Sequence, residues 1–382
     1  MTQPGGSDQA QWALDGLDLI LEAGWLLAAI LPPLAVNLWA DSPFEPVKAA
    51  LLRTLVWTMA AIWLLSAPAM RRLPWRRSWR NLLFWPVLAV IAVQTLATVL
   101  AVDPNLGLRG SLERSQGWLT LISYGVLFLL VAGRLRTLDQ ARRLALALVL
   151  PAVPLVVLGL AQALGWNPLA LVTDARSPVF ATLGRANFLG AYLAMLLPLT
   201  LALALSAHDR HWREAGLVLI VVELAVIGLT RTRAAWVAAS MALSLFGLTF
   251  FAGVPGTRAR LGRALAAAGA ALSLVLAPAM VLLGLGGGST TARLKTWVAV
   301  LDLIRTRPLL GYGPDALGLV FPSVAPWHLV YFQGRGVLVD RAHDLFLDWA
   351  VTTGIAGVVA QIALLALFVI LVWRAARRAV EP

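Results

Sequence analysis

The densest run of chemically usable side chains is Asp340-Arg341-Ala342-His343-Asp344-Leu345-Phe346-Leu347-Asp348-Trp349, where a long polar connection re-enters the last apolar segment. Imidazole titrates near neutral pH and can take the proton of a hydroxyl group, so His343 is the candidate general base. Arg341 sets a fixed positive charge beside it. Further arginines stand at the mouths of apolar segments: Arg185 in Gly184-Arg185-Ala186-Asn187-Phe188, and Arg231 and Arg233 in Thr230-Arg231-Thr232-Arg233-Ala234-Ala235-Trp236. A guanidinium in such a place loses hydration unless it snorkels or meets an anion, and its planar fork suits phosphate oxygens. For any one of them, snorkelling to lipid phosphates is the simpler reading. Several cations sharing a face with one histidine point instead to a diphosphate lodged between spans.

The elements that must carry these groups follow from composition. With 60% hydrophobic and 13% charged residues over 382 positions, the chain is too apolar for a soluble globule and reads as a polytopic membrane protein, all-α and with about ten transmembrane helices. Segments long enough to cross roughly 30 Å of hydrocarbon fall near 17–39, 54–70, 82–102, 117–133, 144–165, 186–206, 215–230, 234–254, 264–285 and 353–373. The net charge of +12 does not form one basic domain, which argues against nucleic acid. It is spread over connections: Arg71 to Arg80, Arg134 to Arg143, Arg210 and Arg213, Arg258 to Arg263, and Arg374 to Arg378. These alternate, so both termini are predicted cytoplasmic. Residues 1–16 form a polar cytoplasmic tail without a basic n-region, and span one reads as an uncleaved anchor. The chain has no cysteine, which removes thiolate chemistry and Cys-ligated metals, and no histidine cluster suggests a metal site.

Spans one to nine occupy residues 17–285, and the one long connection, 286–342, is predicted on the outer face. It opens on Gly286-Gly287-Gly288. Leu294, Trp297, Val298, Leu301 and Ile304 then recur at helical spacing opposite Arg293, Lys295 and Asp302, as in an interfacial amphipathic helix. Pro308-Leu309-Leu310-Gly311-Tyr312-Gly313-Pro314 ends that helix in a turn. Trp327, Tyr331 and Phe332 suit a headgroup layer or stacking on sugar rings. Residues 343–373 hold a short surface helix and the last span, and 374–382 a basic cytoplasmic tail.

Read in order, Asp103-Pro104, Gly110-Ser111-Leu112-Glu113-Arg114-Ser115-Gln116-Gly117, Thr182 to Leu189, Thr230 to Trp236, Arg293 with Trp297, Pro308 to Pro314, and Asp340 to Asp348 with Gly354 resemble the O-antigen ligase and O-antigen polymerase superfamily. That resemblance implies transfer of a glycan, outside the bacterial inner membrane, from an undecaprenyl-diphosphate carrier to a hydroxyl acceptor, without cofactor or metal. It further implies that Arg233 and Arg293 hold the diphosphate and that His343 activates the acceptor. Arg185 and Arg341 are lesser candidates for the diphosphate, with Arg114, Arg231 and Asp344 in support. Two positions depart from the family pattern: Asp344 stands where asparagine is frequent, and Arg231 where a small or amide residue is common. The chemistry agrees with the residues, since a diphosphate leaving group needs charge neutralisation and the acceptor hydroxyl needs a base.

Two other classes compete. A transporter or lipid-linked oligosaccharide flippase would use Glu22 or Glu223, because carboxylates within spans often mark proton paths. A non-catalytic envelope scaffold would tolerate joint loss of Arg233, Arg293 and His343.

Overall fold

A computed structural model of the protein describes residues 6–66, 81–169, 177–252, 254–282, 288–333 and 338–378. Arg71 to Arg80, Arg176, Arg335, Gly286 and Gly287 lie outside the described residues. The chain is all-helical, with no strand among the described residues. Among the described residues, seven helices are long and apolar enough to cross a membrane: Gly16–Leu34, Glu45–Leu65, Leu138–Ala163, Ala186–Ser206, Arg233–Ala252, Thr257–Leu276 and Leu345–Ala376. Phe84–Val99 and Trp118–Arg134 are shorter and apolar, and Arg210–Leu229 adds a helix of 20 residues with a charged first turn. The polytopic helix bundle expected from composition is therefore the fold.

Two compact units divide the chain. One comprises Met1–Trp25, Leu52–Arg134 and Val281–Trp373; the other comprises Leu26–Leu51, Leu135–Met280 and Arg374–Pro382.

In the second unit, Leu155, Val156, Leu189, Leu193, Leu197, Val226 and Ile227 make a buried aliphatic core. Small residues bring its helices together. A β-carbon added at Gly190 would stand 2.6 Å from the Ala235 β-carbon, so Ala186–Ser206 and Arg233–Ala252 touch near their first turns. Lys48 Nζ closes the end of the first helix by donating to the carbonyls of Pro32 at 3.0 Å, Pro33 at 3.0 Å and Ala35 at 2.8 Å. A cation there meets the negative end of the helix dipole and carbonyls that have no partner within the helix. Glu223 is fully buried, and the Thr200 hydroxyl lies 3.2 Å from its Oε1, a bundle-facing arrangement between neighbouring helices.

In the first unit, helix Gly288–Thr306 packs through a face of small residues. Its buried face is Ala292, Thr296, Ala299, Val300 and Leu303, while Leu294, Val298 and Leu301 are 38%, 64% and 43% exposed. The outward-facing aliphatics form the apolar stripe of an interfacial helix, while the opposite requirement, close approach to the protein, falls to small residues. The face that packs on Leu317, Phe321, Leu329 and Ala342 is the one whose small residues permit close approach.

The last helix, Leu345–Arg378, is interrupted at Gly354, which adopts φ 66° and ψ −170°. A break leaves carbonyls on one side and N–H groups on the other without helical partners. The turn at 308–313 supplies them. Tyr312 N donates to Val351 O at 2.9 Å and Gly313 N to Thr352 O at 2.9 Å. Across the break, Ile355 N donates to Pro308 O at 2.8 Å and Ala356 N to Leu309 O at 3.3 Å. Contact is close enough that a β-carbon at Gly354 would lie 2.2 Å from the Leu309 carbonyl carbon, and one at Gly311 would lie 2.6 Å from Val351 O. Both glycines also have positive φ.

Candidate functional site

Segment 340–344 is held residue by residue. Arg114, 9% exposed, donates from Nε to Asp340 Oδ2 at 2.6 Å. One terminal nitrogen of Arg341 donates to Asp315 Oδ1 at 2.6 Å and to Gln116 Oε1 at 2.6 Å. Ala342 is fixed at both backbone groups: its N–H donates to Asp348 Oδ1 at 2.8 Å, and its carbonyl accepts from Trp297 Nε1 at 2.8 Å. Asp344 caps the helix that follows, its Oδ1 accepting from Leu347 N at 2.9 Å. Between these anchors His343 is exposed and left-handed, with φ 58°. Non-glycine residues adopt this conformation rarely, and it persists where the surroundings over-determine it. Capping of the helix thus belongs to Asp344, and the turn carries the imidazole outward.

Arg293 lies one turn before Trp297 on helix Gly288–Thr306 and is exposed. Side chains four apart share a helix face. Because Trp297 holds the Ala342 carbonyl, Arg293 and His343 belong to one neighbourhood, together with Arg114, Arg341 and Asp344.

Arg185, Arg231 and Arg233 form a separate group in the other unit. Arg185 occupies the N-cap of Ala186–Ser206 in an extended conformation, with its guanidinium 5.9 Å from the Phe188 ring centroid. Arg233 begins Arg233–Ala252, and Arg231 precedes it with φ 54°. All three are exposed. The contact of Gly190 with Ala235 sets both helix starts at one end of the unit, where helix dipoles add to the positive charge of the arginines. A tied-down loop supports Arg185: Gln162 Oε1 accepts from Phe180 N at 3.0 Å and Ala181 N at 2.8 Å, and Thr182 Oγ1 donates to Pro33 O at 2.7 Å.

Two structural residues were not legible as such. Arg53, a lone arginine in the apolar helix Glu45–Ser66, donates to Ser115 O at 2.8 Å, Arg109 O at 3.2 Å and Thr120 Oγ1 at 2.9 Å, and so fixes the 109–117 turn. An isolated cation in a span is itself a signal. Asp315 offered only its place after Gly313-Pro314, a turn sequence.

Asp340 has a physical consequence. Burial pushes its carboxyl up, but the hydrogen bond and charge of Arg114 and the charge of Arg341 outweigh burial and leave it below the usual aspartate value. A depressed carboxylate contributes stability above its unfolded pKa, about 3.9, and that contribution is lost as pH falls through the lower folded value. Asp340→Asn is therefore expected to melt below wild type in detergent between roughly pH 5 and 8, with the gap closing below about pH 4 as wild-type Asp340 becomes neutral. Equal melting temperatures at neutral pH would show that the pair with Arg114 adds nothing.

Helices and side chains together define a multi-pass membrane protein with cationic groups at the ends of its spans. Residues 178–362 match the family model described as O-antigen ligase, which supports the O-antigen ligase and polymerase superfamily and a membrane enzyme of surface-polysaccharide biosynthesis. The match contains Arg185, Arg231, Arg233, Arg293, Arg341, His343 and Asp344, and Arg114 precedes it. No curated protein and no solved structure matches the chain.

Proposed function

We propose that the protein transfers a glycan from an undecaprenyl-diphosphate carrier to a hydroxyl acceptor on the outer face of the bacterial inner membrane, with inversion at the anomeric carbon. The acceptor oxygen attacks that carbon and its proton passes to His343. The bond from the anomeric carbon to the diphosphate oxygen breaks, and its electron pair stays on the diphosphate. Arg233 and Arg293 neutralise the departing charge, with Arg185 and Arg341 in lesser roles and Arg114, Arg231 and Asp344 in support. No cofactor or metal enters the scheme. The observation that carries the reading is the exposed, left-handed His343 held between anchored neighbours, within residues matching the ligase family.

Incubation of purified protein with a lipid-diphosphate oligosaccharide and a glycan, lipid or protein acceptor tests the reaction class. A lengthened acceptor with release of the lipid diphosphate is expected, and movement of intact donor across a proteoliposome bilayer without product would overturn the reading. Arg233→Lys is expected to weaken donor binding by about 10-fold, because an ammonium keeps the charge and loses the fork. Wild-type donor affinity in that variant would return Arg233 to the role of a snorkelling side chain.

A further inference from the structure

We infer that Asp315 is a positioning residue for glycan transfer, holding Arg341 against the Ser111–Gln116 turn and so fixing the backbone from which His343 projects. The inference rests on the role proposed for His343. It concerns a residue with no part in bond making.

The Asp315 side chain is 2% exposed, and each group around it is a donor. Oδ1 accepts from Arg341 at 2.6 Å, while Oδ2 accepts from Ser111 N at 2.9 Å, Gln116 N at 3.2 Å and Ser111 Oγ at 3.4 Å. An ionised carboxylate is acceptor-only, with about four lone-pair directions, and this site fills them. Asparagine has the same shape but would turn an NH2 group toward donors. Asp315 also has φ 55°, so strain is retained at both ends of the link that runs through Arg341 to His343.

Other contacts give the link its direction. Ser111 and Gln116 belong to a turn closed by the approach of Gly110 to Gly117, where a β-carbon on Gly110 would lie 2.6 Å from Gly117 N. Arg53 holds that turn from another side through Ser115 O at 2.8 Å. The second ion pair, Arg114 with Asp340, joins the same turn to the residue preceding Arg341. Two consecutive residues of opposite charge, each matched by its opposite, allow one register: a shift by one residue would bring like charges together. Two residues before Asp315, Gly313 N holds the Thr352 carbonyl beside the break at Gly354. Asp315 thus connects three rigid pieces to the segment that ends in the histidine.

A displacement of about 1 Å in a reacting group can cost on the order of 10²-fold in rate. Asp315→Asn, purified in nanodiscs and assayed with a lipid-diphosphate oligosaccharide and a glycan acceptor, is expected to lose about 10²-fold in kcat with donor KM within about 2-fold of wild type. Asp315→Glu should recover part of the loss. The double variant Asp315→Asn with His343→Ala is expected to match His343→Ala alone, because groups acting through one another are not additive. Wild-type kcat in Asp315→Asn, or a further loss in the double variant, overturns the inference. If Asp315→Asn fails to accumulate, Gln116→Ala removes one acceptor from Arg341 and leaves Asp315 in place; a several-fold fall in kcat at constant KM supports the link, and an unchanged kcat overturns it. Full activity of His343→Ala would overturn the base assignment itself, whereas full activity of Asp315→Asn beside an inactive His343→Ala would remove this inference alone.

Discussion

Alanine at His343 is expected to lower glycan transfer by about 10²- to 10⁴-fold, the range for loss of a general base, with donor KM little changed. Folding should be affected only slightly by the exchange. The imidazole is exposed and the start of the following helix is capped by Asp344, although alanine takes a left-handed φ of 58° less readily than histidine. Initial rates with a purified lipid-linked donor, set beside the amount of protein in the membrane fraction, provide the measurement. A wild-type rate would remove His343 from the mechanism. A raised donor KM at unchanged kcat would instead make it a phosphate ligand.

Gly354→Ala is expected to be the most damaging single substitution for folding, exceeding about 3 kcal/mol. Two independent costs combine. The φ 66°, ψ −170° pair is accessible essentially to glycine alone, and the new β-carbon would sit 2.2 Å from the Leu309 carbonyl carbon and oxygen. Relief requires the turn at 308–313 to withdraw, which strands the carbonyls of Val351 and Thr352 and the N–H groups of Ile355 and Ala356. Fluorescence-detected size exclusion in mild detergent should show loss of the monodisperse peak. A variant with wild-type thermal stability would mean that the helix can run straight through this position. Serine at Gly357 offers no substitute test, since its own surroundings are crowded by Thr353.

The bundle could be read from the chain because long apolar segments have few alternatives in a bilayer. Local chemistry also made His343 the candidate base of the proposed reaction, an imidazole among arginines where a polar connection meets a span. What stayed hidden depended on distant residues. Asp315 reaches Ser111, and Arg114 reaches Asp340, across separations of 204 and 226 positions that no local pattern encodes. For the same reason the carboxylate partners of Arg341 and Arg114, Asp315 and Asp340, could not be read from the sequence. The protein-facing side of Gly288–Thr306 was not legible for a different reason. Periodicity weighs large aliphatic residues most, yet helices approach through alanine and threonine, and bulky side chains can face outward where the surroundings are apolar.

The interrupted helix also sets an order of events during biosynthesis. The carbonyls of Pro308 and Leu309 are made some forty-odd residues before Ile355 and Ala356, the donors that satisfy them, so they wait on the ribosome's progress. Residues 52–134 wait longer still, while the intervening helices are threaded into the bilayer. The unit that carries His343 is thus completed late, and a nascent chain stalled before Gly354 lacks the N–H groups that close the 308–313 turn.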